Sequence, residues 1–422
     1  MMTYEECLTY IHSRPRFSER RTDLSKEHRL LERLGNPHLK GKFVHVTGTN
    51  GKGSVCAYVS TVLREAGYRT GLFTSPYLVR FEERFQVNGQ NISPEALTRI
   101  VNTVREAEDA LETEGFPGAT EFEVVTAVGF CYFASQNCDY VVLEVGIGGR
   151  LDNTNVIAPP ACACITAVSF DHMKTLGNTL EEIAAEKSGI IKAGSQAVVS
   201  PDQTPEVLAV IRRACERSGA RYIAAGDLPL EVRSETRDGT DVVADGVELH
   251  IPLLGRHQVY NGVTAFAVCR ALGLPDKLIQ KGIAKTVWPA RLQYIPGTPP
   301  MLLDAGHNPA GVETLCRTLD ALFPDTPLRI VMGMMGDKAT DVCIPAMAHR
   351  AKHLYACAVN WPRAMHPEEL AKVAGQYCET TVCGSVEAAL ETAKAEAQPG
   401  DLVLVCGSVY LVGDVLGILE RG

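Results

Sequence analysis

The chain has 422 residues, 45% of them hydrophobic and 22% charged, with a formal net charge of -9 at neutral pH. Its length exceeds what one hydrophobic core usually supports and predicts two domains. The acidic balance argues against nucleic acid or an anionic membrane as the main partner, since either calls for a basic face.

In chain order, the N-terminal stretch shows no basic region followed by an apolar run, and no run of about eighteen apolar residues follows anywhere. The chain therefore reads as cytoplasmic. Phe43 to Thr47 predicts a buried strand and Ser54 to Gly67 a helix that Gly67 ends, with HVTGTNGKGS (His45 to Ser54) running between them. The usual phosphate loop ends in Gly-Lys-Ser/Thr, but here Gly53 separates Lys52 from Ser54. Gly48, Gly51 and Gly53 let backbone amides point inward, the helix presents its positive end, and Lys52 can meet β- and γ-phosphate oxygens.

Arg69 to Ser75 is the next strand, and Ser93-Pro94-Glu95 opens a long polar helix with Ser as its N-cap. A helix from Glu123 leads to the strand Asp139 to Gly146. The Gly-rich run after it opens no helix, which disfavours a dinucleotide fingerprint. Glu144, at the end of that strand, is a candidate for Mg²⁺ beside a phosphate loop.

A strand over Ala161 to Ser169 places Asp171 and His172 on the same sheet edge. Its Cys162 and Cys164, like most of the 14 cysteines, read as buried thiols, because no C-x-x-C occurs. Thr179 and Glu182 have capping-box spacing. Lys187 falls on the apolar stripe of the helix that follows, where a charge must snorkel, pair or be removed. Snorkelling or ion pairing is the first physical expectation, and carbamylation by CO₂ the sharper one.

Three short alternating strands over 227 to 254 predict a small antiparallel addition. Helices near 259 to 273 and Lys277 lead to a Pro- and Gly-rich stretch, 288 to 301, read as the boundary between domains at 1–290 and 291–422. Strand and helix then alternate to the end, with Leu328 to Met335 among the expected strands. Arg291 lies in the boundary, Asp304 at a strand end, and His307 and Asn308 just before a helix. The fold class is α/β: a P-loop NTPase-like, mostly parallel sheet, then a smaller Rossmann-like domain.

These motifs, with TSPYLVRFEER, FEVVTAVGF, EVGIGGRLDNTN, DHMKTLGNTLEEIAAEKSGIIK, LLDAGHNPAG and CGSVYLVGDV, resemble the folylpolyglutamate and dihydrofolate synthases of the Mur ligase superfamily over nearly the whole chain. The resemblance implies ATP- and Mg²⁺-dependent ligation of L-glutamate to a reduced folate or dihydropteroate. It implies that Asn50, Gly51, Lys52, Gly53 and Ser54 hold the triphosphate, and that Asn261, Arg291 and Asp304 contact ATP. Ser75 and Glu144 would bind one Mg²⁺, and His172 with a carbamylated Lys187 a second. His307 would lie near the transferring phosphate. Thr120, Glu121, Phe122, Glu123, Leu151, Asp152 and Asn153 would line the pterin site. Lys52, Lys187 and His307 are the expected catalytic set, in an expected monomer. The alternatives are another Mur-type amino-acid ligase, or a P-loop NTPase that ligates nothing. Two local departures stand out: Asp304-Ala305-Gly306-His307 where the family has Asp-Gly-Ala-His, and Ala290-Arg291-Leu292 where it has a Gly-Arg-Phe-like run.

Overall fold

The computed structural model describes residues 1–16, 23–359 and 361–421. Its first sheet has eight strands, in the order Gln90–Asn91, Phe85–Val87, Thr70–Phe73, Tyr140–Glu144, Lys42–Thr47, Cys162–Ile165, Gln196–Val199 and Arg221–Ala224. From Thr70–Phe73 onward the strands are parallel, and the first two are antiparallel additions.

The pleat sorts each apolar run between two cores. Val44, Val46 and Val142 pack with Val55, Val59, Val263 and Phe266 of the Lys52–Glu65 and Arg256–Ala271 helices. Phe43, Val141 and Leu143 point the other way, onto Val124, Val128 and Phe130 of the Glu121–Ser135 helix. Burial on both faces is why these strands read as continuous apolar runs.

The strands Leu230–Thr236, Gly239–Ala244 and Val247–Ile251 form the expected antiparallel sheet. The second large sheet has six strands, in the order Gln293–Ile295, Met301–Leu303, Leu402–Cys406, Leu328–Met332, Ala351–Ala356 and Thr380–Val382. Only the first of them is antiparallel to its neighbour. Leu328, Ile330 and Met332 face one core and Val331 the other.

Three expectations change. The Pro- and Gly-rich boundary is not all linker, since Gln293–Ile295 pairs with Met301–Leu303 as an edge strand. The strand expected over Ala161 to Ser169 stops at Ile165. Beyond it the backbone turns to serve the glycine-rich loop, with Ala167 O accepting from Thr49 N at 2.8 Å. The run Leu328 to Met335 leaves its sheet at Met332. At the next position, Gly333, a Cβ would stand 2.8 Å from the Cys357 carbonyl.

Parallel strands bring their C-terminal ends to one edge. Thr47, Phe73, Glu144 and Ile165 all end there, so the loops that follow them form one rim.

Candidate functional site

The rim is built on the glycine-rich loop. Gly51 sits at φ 87° as the N-cap of the Lys52–Glu65 helix, and a Cβ on it would lie 2.4 Å from Asn261 Oδ1. Thr166 Oγ1 donates to Asn50 O at 2.7 Å and fixes the loop from just beyond the neighbouring strand. Lys52 Nζ folds back onto the carbonyls of Gly48 (3.3 Å) and Thr49 (3.2 Å). The loop's amides and this ammonium make a cradle suited to phosphate oxygens. Ser54 is buried, and Gln258 Nε2 donates to its hydroxyl at 3.2 Å while Gln258 Oε1 accepts from Asn261 at 3.1 Å. Gly53 faces the Trp288 ring, which a Cβ would meet at 3.2 Å.

Glu144 is 5% exposed and accepts from the Ser75 amide at 3.0 Å. Burial raises its carboxyl above the ordinary range, opposed by Lys52, the Ser75 amide, Arg291 and Arg84. Among the described residues no three His, Cys, Asp or Glu side chains converge to hold an ion alone. Mg²⁺ does not require that, since it binds through one or two carboxylates plus substrate phosphates and waters. Glu144, with Ser75 held against it through its backbone amide, fits that donor set.

Lys187 does not snorkel. It is 3% exposed, and its Nζ donates to Gly48 O at 2.7 Å beneath the loop. Burial, with Lys52 nearby, lowers its amine to about 7. His172, with φ 50°, caps the short helix Met173–Leu176, and its amide donates to Asp171 Oδ1 at 2.8 Å. Desolvation, aided by Lys338, Lys52 and Lys187, holds its ring below the usual histidine value against the pull of Asp171, an effect weakened because 43% of the side chain is exposed.

The second sheet meets this rim directly. Asn308 Nδ2 donates to Asn50 Oδ1 at 3.2 Å and reaches Asp171 Oδ2 at 3.4 Å, while its own Oδ1 caps the Pro309–Leu322 helix through Gly311 N at 2.8 Å. Lys338 adds an ion pair to Asp171 at 3.6 Å. Burial works against Asp171, but His172 and Lys338 hold its carboxyl below the ordinary value. Asp304 is buried and accepts from Leu292 N at 3.0 Å and Gly306 N at 2.9 Å, which ties the second sheet to the Arg291 segment. Burial raises its carboxyl, with Arg291 opposing. His307 Nδ1 lies 3.1 Å from Ala305 O, and burial, with Lys338, lowers its ring to about 4.

The residues expected at the pterin site gather around the N-terminus of the Glu121–Ser135 helix and the loop before Asn153–Val156. Thr120 and Glu123 form a capping box, and Glu123 also accepts from Lys26 at 3.0 Å. Phe122 lies against Gly146, where a Cβ would meet its ring at 2.7 Å. Asp152 accepts from Ile147 N at 3.0 Å, Leu151 is half-buried beside it, and Asn153 donates to Glu27 at 2.7 Å. Glu121 pairs with His12 at 3.4 Å and Arg16 at 3.6 Å.

Sequence reasoning missed Thr166, Gln258, Trp288 and Lys338, whose roles come from contacts between distant segments. It also missed Arg84, which is 8% exposed and lies against the rings of Tyr77 (5.1 Å) and Phe81 (5.5 Å). Two aromatic faces return about 2 kcal/mol or more each when desolvated, against roughly several kcal/mol for removing an ion from water. The TSPYLVRFEER segment gave no periodic signal that this arginine would point inward.

Comparison with known proteins shows the family and the fold. Residues 46–269 match the Mur ligase middle domain and residues 290–409 the Mur ligase glutamate ligase domain. The dihydrofolate synthase/folylpolyglutamate synthase of Bacillus subtilis is 34% identical over 98% of both chains. A Mycobacterium tuberculosis folylpolyglutamate synthase structure, complexed with ADP and AMPPCP, superposes with TM-score 0.89 at 29% identity over 99% of this chain and 98% of that one. An Escherichia coli FolC structure in complex with DHPP and ADP gives TM-score 0.88 at 30% identity over 100% and 98%. Matched by both Mur ligase domains and by a relative 34% identical over nearly its whole length, the chain belongs to the folylpolyglutamate synthase and dihydrofolate synthase family of Mur ligases.

Proposed function

We propose that the protein joins L-glutamate to the carboxylate of a reduced folate or dihydropteroate at the expense of ATP, releasing ADP and phosphate. The observation that carries the reading is Asn308 from the second sheet reaching both Asn50 of the glycine-rich loop and Asp171 beside it. A nucleotide on the loop is then covered by groups of both halves, which a bare P-loop NTPase would leave unused. The halves divide at 290 and 291.

A carboxylate is a poor acyl donor because its leaving group would be oxide. Phosphoryl transfer therefore comes first: a carboxylate oxygen bonds the γ-phosphorus as ADP leaves. The amine of glutamate then attacks the acyl phosphate, loses a proton and expels phosphate. Asn50 to Ser54 hold the triphosphate, with Lys52 swinging from its carbonyls to the β- and γ-oxygens. Asn261, Arg291 and Asp304 flank the nucleotide from helix, linker and second sheet, and His307 stands near the transferring group as a neutral ring.

Thr120 to Glu123 and Leu151 to Asn153 form the wall for the pterin. Ser75 and Glu144, and at a second position His172 and a carbamylated Lys187, would hold Mg²⁺, which would supply charge neutralisation on the phosphates. A deeply placed lysine with its amine near 7 suits this, because only the neutral amine takes up CO₂. Closure between two halves keeps water from the acyl phosphate.

The reading is tested by incubating the protein with ATP, Mg²⁺ and glutamate plus either dihydropteroate or tetrahydrofolate, and identifying products by mass. A product one glutamyl residue heavier is expected. Nucleotide hydrolysis with no such product would exclude it.

A further inference from the structure

Arg84 closes the turn Phe81–Arg84, and its carbonyl accepts from Thr74 N at 3.2 Å, which fixes it beside Ser75 and the strand end bearing Glu144. Among the described residues no hydrogen bond or ion pair engages its guanidinium, and Nε is wholly enclosed without a partner. Glu121, Tyr77, Tyr410 and Glu144 act on it only through space. The Tyr77 and Phe81 rings address the guanidinium as cation–π partners and accept none of its in-plane N–H groups in conventional hydrogen bonds. A guanidinium cannot shed its proton to escape the cost of burial. An enclosed fork of N–H donors calls for a planar anion, and a carboxylate matches it with two parallel bonds.

The surroundings select which carboxylate. Arg84 lies within electrostatic reach of both Glu121, which starts the helix carrying Phe122, and Glu144, at the nucleotide end of the rim. An acyl substrate with its ring system near Thr120 to Phe122 and its reacting end at the triphosphate must pass between those two points.

We propose that Arg84 is the carboxylate receptor of the acyl substrate. Its fork takes the carboxylate bidentately, directs one oxygen toward the terminal phosphorus and stays with the acyl phosphate after transfer. No bond to Arg84 forms or breaks. It balances charge while the carboxylate oxygen bonds phosphorus and the bond from phosphorus to the bridging oxygen breaks. This assignment rests on the ligase reading above.

The test pairs a change in the protein with a change in the ligand. Binding of dihydropteroate and of its primary carboxamide is measured by calorimetry on the wild type, Arg84→Gln and Arg84→Lys. The wild type should prefer the acid by roughly tenfold to a hundredfold. Arg84→Gln should bind acid and amide alike, with ATP-analogue affinity unchanged. Arg84→Lys keeps the charge without the fork and should fall between, which keeps the assignment testable if the Gln variant does not fold. Retention of the full acid preference in both variants overturns the proposal. So does a rise confined to the KM for glutamate, which would give the guanidinium to the amino acid's carboxylate instead. A wild type that binds neither pterin compound overturns the ligase reading itself.

Discussion

Lys187 reaches the underside of the glycine-rich loop, where its Nζ donates to the Gly48 carbonyl at 2.7 Å. No carboxylate of the described residues pairs with it, and burial is the first cause of its amine falling to about 7. A lysine with this history is mostly neutral above pH 7 and open to CO₂. With ¹³C-bicarbonate, a carbamate resonance is expected in the wild type and not in Lys187→Ala. Activity of the variant should fall by about a hundredfold or more, the scale of a lost charge-stabilising group at a reacting centre.

Gly51 holds a left-handed φ of 87° with Asn261 Oδ1 where a side chain would go. Gly51→Ala must move either the loop or Asn261. Titration with a non-hydrolysable ATP analogue should show affinity reduced by at least about tenfold, equivalent to 1.4 kcal/mol, with melting temperature changed little.

Asn308 carries two duties, a helix cap and a bridge to Asn50. Asn308→Ala should cost about 1 kcal/mol of stability for the cap and raise the KM for ATP. Asn308→Ser restores only the cap, so it should recover the melting temperature and leave the raised KM. Equal recovery of both would show that the bridge has no role in nucleotide binding.

Buried imidazoles set the acid limit. His38 and His45 are 3% and 0% exposed, and burial lowers them to about 4 and about 3. Their folded values lie below the unfolded value of about 6.5, so the unfolded chain binds more protons between those limits. Stability should therefore decline as pH falls from about 6.5 toward 4, by roughly 3 kcal/mol for each of the two by pH 4. Chemical denaturation at stepped pH measures this, and His45→Gln should flatten the slope. His307, lowered to about 4, should add no step to the activity profile above pH 5.

Much of this was legible in the sequence. The two-sided burial of Val44 and Phe43 appears as an apolar run, and the loop between strand and helix can be placed from its glycines alone. The capping box of Thr179 and Glu182 forms as its spacing implies. The hairpin Phe85–Val87 with Gln90–Asn91 was also signalled, by Asn88-Gly89 with φ 52° and 79° at its turn, and went unread. The capping box of Thr3 and Glu6, which opens the first helix, is a signal of the same kind. What could not be read were contacts set by tertiary placement: Thr166 on Asn50, Gln258 on Ser54, Lys338 on Asp171. Nothing local distinguishes a lysine that pairs across a cleft from one in water. The family resemblance supplied the nucleotide groups as expectations, while the isolation of Arg84 is visible only once its neighbours are in place.

The central claim is that both halves build one site in which ATP is spent only to activate a carboxylate for an amine. ADP release by the wild type and Lys52→Ala, with glutamate and dihydropteroate each present or withheld, tests it most directly. The account predicts rapid release only when both substrates are supplied, and its near abolition in the variant. Equal release with both withheld, or a variant as active as the wild type, would contradict it.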